Sequence, residues 1–456
     1  MVSIVATMTE HREVLTGWGR TAATTAQVCR VRGTQDVIDA VVGVGPRGVI
    51  ARGLGRSYGD PAQNAGGVVL DVTGLDRIHA IDSDTAVVDV DAGVSLDTLM
   101  RRALPFGLWI PVLPGTRQVT VGGAIAADIH GKNHHVQGSF GNHVRSMDVV
   151  TADGEVQTLT PDSPLFWATV GGMGLTGVVV RARIRLVRVE TAYFAVDTDR
   201  TPDLDGLLGL LADGSDDSYG YSVAWFDAVA RGARLGRAVL TRGRSATLDE
   251  LTRAQRRDPL GLQARQFFTA PDRFPSGLVN RASAGAFSEL WWRKAPARRR
   301  AEVQNVTTFF HPLDLVGSWN RVYGPRGFLQ YQFVMPFGQE AAFRRAVELI
   351  SGSPHASFLN VLKRFGTANA APLSFPEPGW TLTVDLPVAP GLGRLCDRLD
   401  ELVLDAGGKL YLAKESRTRP EVLARMYPRL TQWRAVREAA DPAGVFVSDL
   451  SRRLNL

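Results

Sequence analysis

Apolar and polar positions change their rhythm along this chain, and the change divides it. In the first part, short apolar runs are separated by glycine-rich turns. Val37, Ile38, Val41 and Val42 fall on one face of a helix expected over 34–44, which Thr34 can cap with its hydroxyl. Strands are expected at 48–52, 67–72 and 85–92. In the last of these VVDVDAG alternates apolar with acidic residues, which predicts one wet face. Ser95 and Asp97 can cap a helix running through Met100 and Leu104. The runs 144–151 and 155–160 read as a hairpin about an Ala-Asp-Gly turn, and 166–184 as a glycine-rich turn followed by a strand.

From about Thr191 glycines thin out and the alternation has period two. Strands are expected at 221–227, 328–335, 357–365 and 380–386, with a helix at 340–350. The pattern predicts an α+β protein whose second part is an antiparallel sheet flanked by helices and covering a ligand. A strand at 409–414, KLYLAK, should return the chain to the first part, and 421–456 should be largely helical. The expected domains are 5–192, 193–408 and a returning segment 409–456. No internal repeat or low-complexity tract interrupts them.

Two stretches do not fit a packed core. Residues 114–154 hold seven glycines and four of the eight histidines, and 51–60 reads ARGLGRSYGD. Glycine admits φ > 0 and close backbone approach, so such loops can point amides at a pyrophosphate. Two of them about sixty residues apart suggest a dinucleotide gripped from two sides; two tight turns in an α/β domain are the plainer alternative. GVGPRG at 43–48 matches G-x-G-x-x-G but follows a predicted helix and precedes a strand, the reverse of the dinucleotide fingerprint. His130 and His134 have a spacing that suits a metal only on a helix, and this glycine-broken run is not expected to be one.

Composition adds limits. The 456 residues suffice for about two domains, and 45% hydrophobic with 21% charged residues is ordinary for a globular protein. Cys29 and Cys396 cannot build a disulfide framework. A net charge of +6 does not argue for nucleic acid. The N-terminal residues lack a secretory layout, and no run reaches the roughly eighteen apolar residues of a spanning helix. A protein on the cytoplasmic or periplasmic face of a membrane, peripheral rather than embedded, is expected. Residues 252–300 carry eleven Arg or Lys against three Asp or Glu and include WWRKAPARRR. Tryptophans beside cations suit a headgroup zone or an anionic ligand, and a solvated basic loop is the alternative. Within them 270–278, APDRFPSGL, reads as an irregular lid.

The strings RGLGRSYGD, PVLPGTRQVTVGGAIAADIHGKNHH, GSFGNHVRSMDVVTADG and FWATVGGMGLTG resemble the FAD-binding half of the vanillyl-alcohol-oxidase-like flavoenzymes. From TGWGRTA to FVSDLSRRLNL the chain is similar to one family within them, the polyprenyl-phosphoryl-ribose oxidases that form the flavin subunit of a ribose 2′-epimerase. The resemblance implies a two-subdomain FAD domain plus a substrate domain. It implies oxidation of the 2′-hydroxyl to a ketone, with a separate NADH-dependent reductase completing the route to the arabinose donor for cell-wall arabinan. Oxygen or a quinone would reoxidise the flavin. An aldonolactone or alditol oxidase of the same fold, or a non-catalytic lipid-binding partner, are the alternatives.

Residue by residue, the resemblance assigns FAD binding to Arg52, Gly53, Leu54, Gly55, Arg56, Ser57 and Tyr58 of the first loop. From the second come Gly115, Thr116, Thr120, Gly122, Gly123, Ala126, His130 and Asn133, with Val179 or Val180 at the adenine end and Tyr411. Some relatives tether the flavin through a histidine where Asp60 stands here, so non-covalent FAD is expected. Lys414, Tyr58 and His130 are the candidates for proton removal or alkoxide stabilisation, Lys414 being either base or phosphate anchor. Strand alternation puts Thr381, Thr383 and Asp385 on one face of WTLTVDL, and Gln330 and Gln332 on one face of FLQYQF. The resemblance turns those faces toward a sugar pocket and adds Lys132, Trp225, Arg321, Lys363 and Phe365; it also places Trp18 against the site. Mycobacterial members of that family carry cysteine at the position of Thr383.

Overall fold

The computed structural model describes residues 10–264, 266–355 and 358–456. The expected starts at 5 and 357 fall outside these residues.

The helix Thr34–Val42 forms where its periodicity predicts, but Gly33 occupies the capping position. Asp36 closes the first turn by accepting from the amides of Arg32 and Gly33, at 2.7 and 3.2 Å, which leaves Thr34 no part in it. Val37 and Val41 pack on Val49, Leu70 and Phe446, while Val42 turns outward. The 43–48 turn leads into strand Val49–Arg52, parallel to Val68–Asp71, so the helix precedes and the strand follows. With Thr24–Arg30 and Glu10–Leu15 these form a four-stranded sheet.

A five-stranded antiparallel sheet follows, in the order Ile78–Asp82, Val87–Asp91, Val178–Arg185, Val144–Val150, Val156–Leu159. The last two are the expected hairpin. The wet face expected of Val87–Asp91 is closed, because Arg181 and Arg183 cover the Asp89 carboxylate at 2.5 and 3.1 Å. Ser95 caps Leu96–Ala103 through the Thr98 amide, and Asp97 instead pairs with Arg101 and Arg117. The glycine-rich stretch is not all loop. Thr120 caps a short helix, Val121–Ala126, whose Val121, Ala124 and Ile125 are buried, and His134–Gln137 forms a further helical turn.

The second part is an eight-stranded antiparallel sheet ordered Arg298–Asn305, Tyr193–Thr201, Ala238–Ser245, Tyr221–Phe226, Asn360–Phe365, Gly379–Pro387, Phe328–Pro336, Lys409–Leu410. Period-two sequence gives each strand two unlike faces. One face packs on helices, as where Phe333 meets Phe343 of Glu340–Gly352 at 5.6 Å between ring centroids. The other face, with Val223, Trp225, Val239, Thr241, Gln330, Gln332, Val361, Lys363 and Thr383, roofs a cavity. The expected strand 409–414 ends at Leu410: the Lys414 amide donates to Tyr411 O at 2.9 Å, which closes a turn and puts Lys414 on it. Helices Pro420–Met426, Leu430–Ala440 and Asp449–Leu454 complete the chain, and Phe446 bridges Val49 of the first sheet. Among the described residues no helix is long and apolar enough to cross a membrane.

Candidate active site

A cavity of ≈ 660 Å³ lies between the glycine loops and the inner face of the eight-stranded sheet. Residues 51–59 and the run from Leu113 to Thr120, apart from Arg117, form one wall, and Gly122, Gly123, Ala126, His130 and Val179 extend it. Val180 packs into a core cluster on the far side of its strand, so of the two valines only Val179 reaches the cavity.

The first loop has the form a pyrophosphate requires. The amides of Leu54, Gly55, Arg56 and Ser57 donate to no group among the described residues, and Gly55 has φ +63, the left-handed region that glycine adopts freely. A Cβ on Gly53 would come within 2.3 Å of the Thr120 hydroxyl, so the two loops touch there. Arg52 braces this loop rather than reaching across it, donating to Ala62 O at 3.0 Å and Thr16 O at 2.8 Å. Arg56 donates to Leu54 O and lies 4.1 Å over the Trp18 ring. Thr116 gives its hydroxyl to Asp314 at 2.7 Å, and the Arg117 amide donates to the same carboxylate at 2.9 Å. Asn133 does not reach the cavity: its side-chain amide donates to Pro111 O at 2.6 Å and holds the loop. Tyr411 presents its ring to the cavity while its hydroxyl donates to Ala127 O at 2.8 Å. The Asp60 carboxylate points away, into Arg453.

Lys414 stands at the centre. Its Nζ lies 3.7 Å from the centroid of the Tyr58 ring, and the residue lines the cavity. Burial lowers its pKa to about 7; Asp385 opposes the shift and Lys363 adds to it. Burial drives the Tyr58 phenol well above its ordinary range, so it stays protonated at neutral pH. Burial likewise holds His130 neutral. Its Nε2 accepts from Gln332 Nε2 at 2.9 Å, leaving Nδ1 buried with no partner among the described residues. His134 turns elsewhere and accepts from the Gly366 amide, so the two imidazoles share no ligand.

Of the expected substrate contacts, Gln330, Gln332, Thr383, Lys132, Lys363 and Trp225 line the cavity. Four lie behind its wall. Asp385 is fully buried and accepts from Gln330 at 2.6 Å and Tyr323 at 3.2 Å, with burial raising its pKa to about 7. Thr381 sits beneath Gln332 at 3.3 Å. Phe365 packs edge-on to His130, centroids 4.8 Å apart. Arg321 donates to Ala270 O at 2.9 Å and anchors the irregular 270–278 segment. Strand alternation gives the direction of a side chain but not how far the cavity extends along the strand.

Lys132 donates to Phe309 O and lies 4.4 Å over the Phe309 ring; burial, reinforced by Lys363, lowers its pKa to about 7. Burial takes Lys363 to about 8. Three lysines therefore enter one cavity whose lining holds one acid, Asp314.

Beyond them the walls turn aromatic. Phe287 and Trp291, one turn apart on helix Arg281–Lys294, stack at 5.8 Å, with Trp225 and Phe358 beside them. Leu290, Phe267 and Phe268 are exposed nearby in sequence. Sequence reading missed Asp314 and Phe287, and took Trp291 only as part of the basic segment, not as a wall of the cavity. Helical spacing in FSELWW was a signal for the aromatics, whereas nothing local marks Asp314. The basic segment is partly neutralised: Arg293 pairs with Glu289, Arg299 with Glu302, and Arg300 with Asp197 and Asp199.

A model described as an FAD binding domain matches residues 25–160, and one described as D-arabinono-1,4-lactone oxidase matches residues 384–454. Over 448 residues the chain is 56% identical to decaprenylphosphoryl-beta-D-ribose oxidase of Mycolicibacterium smegmatis, covering 97% of each chain. An uncharacterised protein of Streptomyces coelicolor is 40% identical over 373 residues, 80% of this chain and 100% of its own. Cytokinin dehydrogenase 10 of Oryza sativa subsp. japonica is 37% identical over 151 residues, 31% of this chain and 27% of its own. The cofactor is FAD.

Proposed function

The chain belongs to the decaprenylphosphoryl-β-D-ribose oxidase family of FAD-dependent oxidoreductases, and from that premise we propose that it oxidises the 2′-hydroxyl of a polyprenyl-phosphoryl-β-D-ribose to the 2′-keto sugar. One observation carries the reading. A single cavity joins the glycine loops to Lys414 and the two glutamines, then to Lys132 and Lys363, then to an aromatic mouth. Cofactor, sugar, phosphate and prenyl chain each find matching chemistry in that order.

FAD held by the two glycine loops would supply the oxidant, an acceptor for the C2′ hydrogen and its electron pair. The protein handles the proton. Lys414, near half-neutral at pH 7, accepts the hydroxyl proton, and the neutral Tyr58 phenol beneath it steadies the developing oxyanion. Gln330, fixed by Asp385, and Gln332, fixed by His130 and Thr381, hold the other sugar oxygens. Lys132 and Lys363 meet the phosphate, whose charge compensates their burial. Asp60, held by Arg453, stands where some relatives carry a tethering histidine, which supports non-covalent FAD. The exposed aromatics about Trp291 suit a peripheral membrane contact through which the prenyl chain passes, and an NADH-dependent reductase consumes the ketone.

The match of residues 384–454 to a lactone oxidase favours a second reading, oxidation of a free aldonolactone. Anaerobic mixing separates the two. A prenyl-phosphoryl ribose should bleach the flavin absorption at concentrations where D-arabinono-1,4-lactone does not; the reverse order would favour the lactone.

A further inference from the structure

Behind the Lys414–Tyr58 contact lies a buried ion cluster that the oxidation does not use. Arg453, on the C-terminal helix Asp449–Leu454, forks the Asp60 carboxylate, Nε to Oδ2 at 3.0 Å and Nη2 to Oδ1 at 2.8 Å. The same Nη2 lies 2.9 Å from Glu415 Oε2, and Nη1 donates to Thr418 O at 3.0 Å. The other Glu415 oxygen accepts from the amides of Arg417 and Thr418. One guanidinium thus holds the loop that carries Tyr58 and the turn that carries Lys414. Asp60 follows Tyr58 by two residues, and Glu415 follows Lys414 directly. Neither carboxylate nor Arg453 lines the main cavity.

The two segments also touch along their backbones. The Tyr58 amide donates to Ala413 O at 2.9 Å, and a Cβ on Gly59 would come within 2.1 Å of Glu415 O. We propose that Arg453 is a positioning residue for the oxidation: by clamping Asp60 and Glu415 from behind, it fixes the Lys414 amine over the Tyr58 ring. The turn itself is closed by the amides of Lys414 and Glu415 on a single carbonyl, Tyr411 O. A lysine has four rotatable side-chain bonds, so its aim depends on where that turn is held. A displacement of about 1 Å in such a group costs on the order of a hundredfold in rate.

The inference rests on Lys414 acting as the proton acceptor, but its deciding readout, the protonation of that amine, needs no substrate. The groups facing Lys414 are Tyr58, Asp385, Lys363 and His130, with Glu415 on its own turn. Acetylation of Lys414 by acetic anhydride across pH, read by mass spectrometry on the FAD-loaded protein, reports where the amine becomes neutral. In the unaltered protein the midpoint should lie near the value burial imposes, about 7. A triple variant, Asp60→Asn, Glu415→Gln and Arg453→Met, removes the clamp without leaving an unpaired buried carboxylate. With the amine freed toward water, its midpoint should rise by about one pH unit or more toward the ordinary lysine value. Flavin should be retained through dialysis, and flavin bleaching should slow roughly tenfold or more.

A folded, flavin-loaded triple variant with an unchanged midpoint overturns the proposal, and so does loss of flavin or thermal stability with the midpoint unmoved. If the triple variant does not fold, Arg453→Lys, which keeps the charge but not the fork, takes its place: a raised midpoint supports the clamp and an unchanged one overturns it. Should the midpoint move while the unaltered protein never bleaches with a prenyl-phosphoryl ribose, the substrate reading fails and the positioning role stands.

Discussion

Lys414 holds its amine 3.7 Å from the centre of the Tyr58 ring, face-on, although the two residues come from opposite ends of the chain. Burial favours the neutral form of both: the lysine loses its proton readily and the tyrosine holds its own more firmly. That pairing gives the cavity a base and a neutral hydrogen-bond donor side by side at neutral pH.

Lys414→Met should therefore retain FAD and lose on the order of a hundredfold or more in the rate of flavin bleaching, the size of a general-base contribution. In the unaltered protein that rate should fall as pH drops through about 7, because protonation removes the acceptor. Stopped-flow absorbance from pH 5.5 to 9 checks both (a range chosen to be about 1.5 units or more on either side).

Lys363 faces the opposite requirement, since it meets the phosphate only when charged. Lys363→Met should weaken binding of a phosphorylated substrate by roughly tenfold, the loss of one charge-assisted contact, while leaving its non-phosphorylated analogue within about twofold. Titration of each ligand, followed by flavin fluorescence, checks this; an equal loss for both would remove Lys363 from the phosphate site.

Much of this arrangement was legible in the sequence, and the exceptions share a cause. Alternation in FLQYQF and WTLTVDL gave the faces of Gln330, Gln332 and Thr383, because a strand imposes period two on any side chain. It could not tell that Asp385 and Thr381 end beneath the glutamines rather than in the cavity, which depends on packing against neighbouring strands. KLYLAK looked like a strand throughout, yet only its first two residues find a partner strand. Asp60 was read for what it is not, a flavin tether. Its use, holding Arg453 across 393 positions, leaves no local trace. Asp314 is a similar case, reaching Thr116 across 198 positions.

Because Asp60 is engaged by Arg453, acid precipitation should release all the flavin into the supernatant. Yellow colour kept in the protein pellet would show a covalent tether elsewhere.

Thr383 lines the cavity, and the two native cysteines are buried away from it. Cysteine has nearly the size of threonine, and its thiol, with an ordinary pKa of about 8.5, offers some thiolate at neutral pH where a hydroxyl offers none. A thiol-seeking electrophile that binds the cavity should leave the unaltered protein unlabelled and should label Thr383→Cys, with flavin bleaching within about threefold of the original before labelling, as the reaction draws on no group of this side chain. Intact-mass measurement decides; an unlabelled variant would mean that Thr383 does not face the bound ligand.

The central claim is that hydrogen leaves C2′ of a phosphorylated ribose held between the flavin loops and Lys414. Anaerobic single-turnover bleaching with prenyl-phosphoryl ribose deuterated at C2′ tests it most directly. The account predicts bleaching that is slower than with the unlabelled sugar, and no such slowing when deuterium is placed at C1′ or C3′. Bleaching that is slowed by deuterium at another carbon, or that does not occur with this sugar at all, would contradict it.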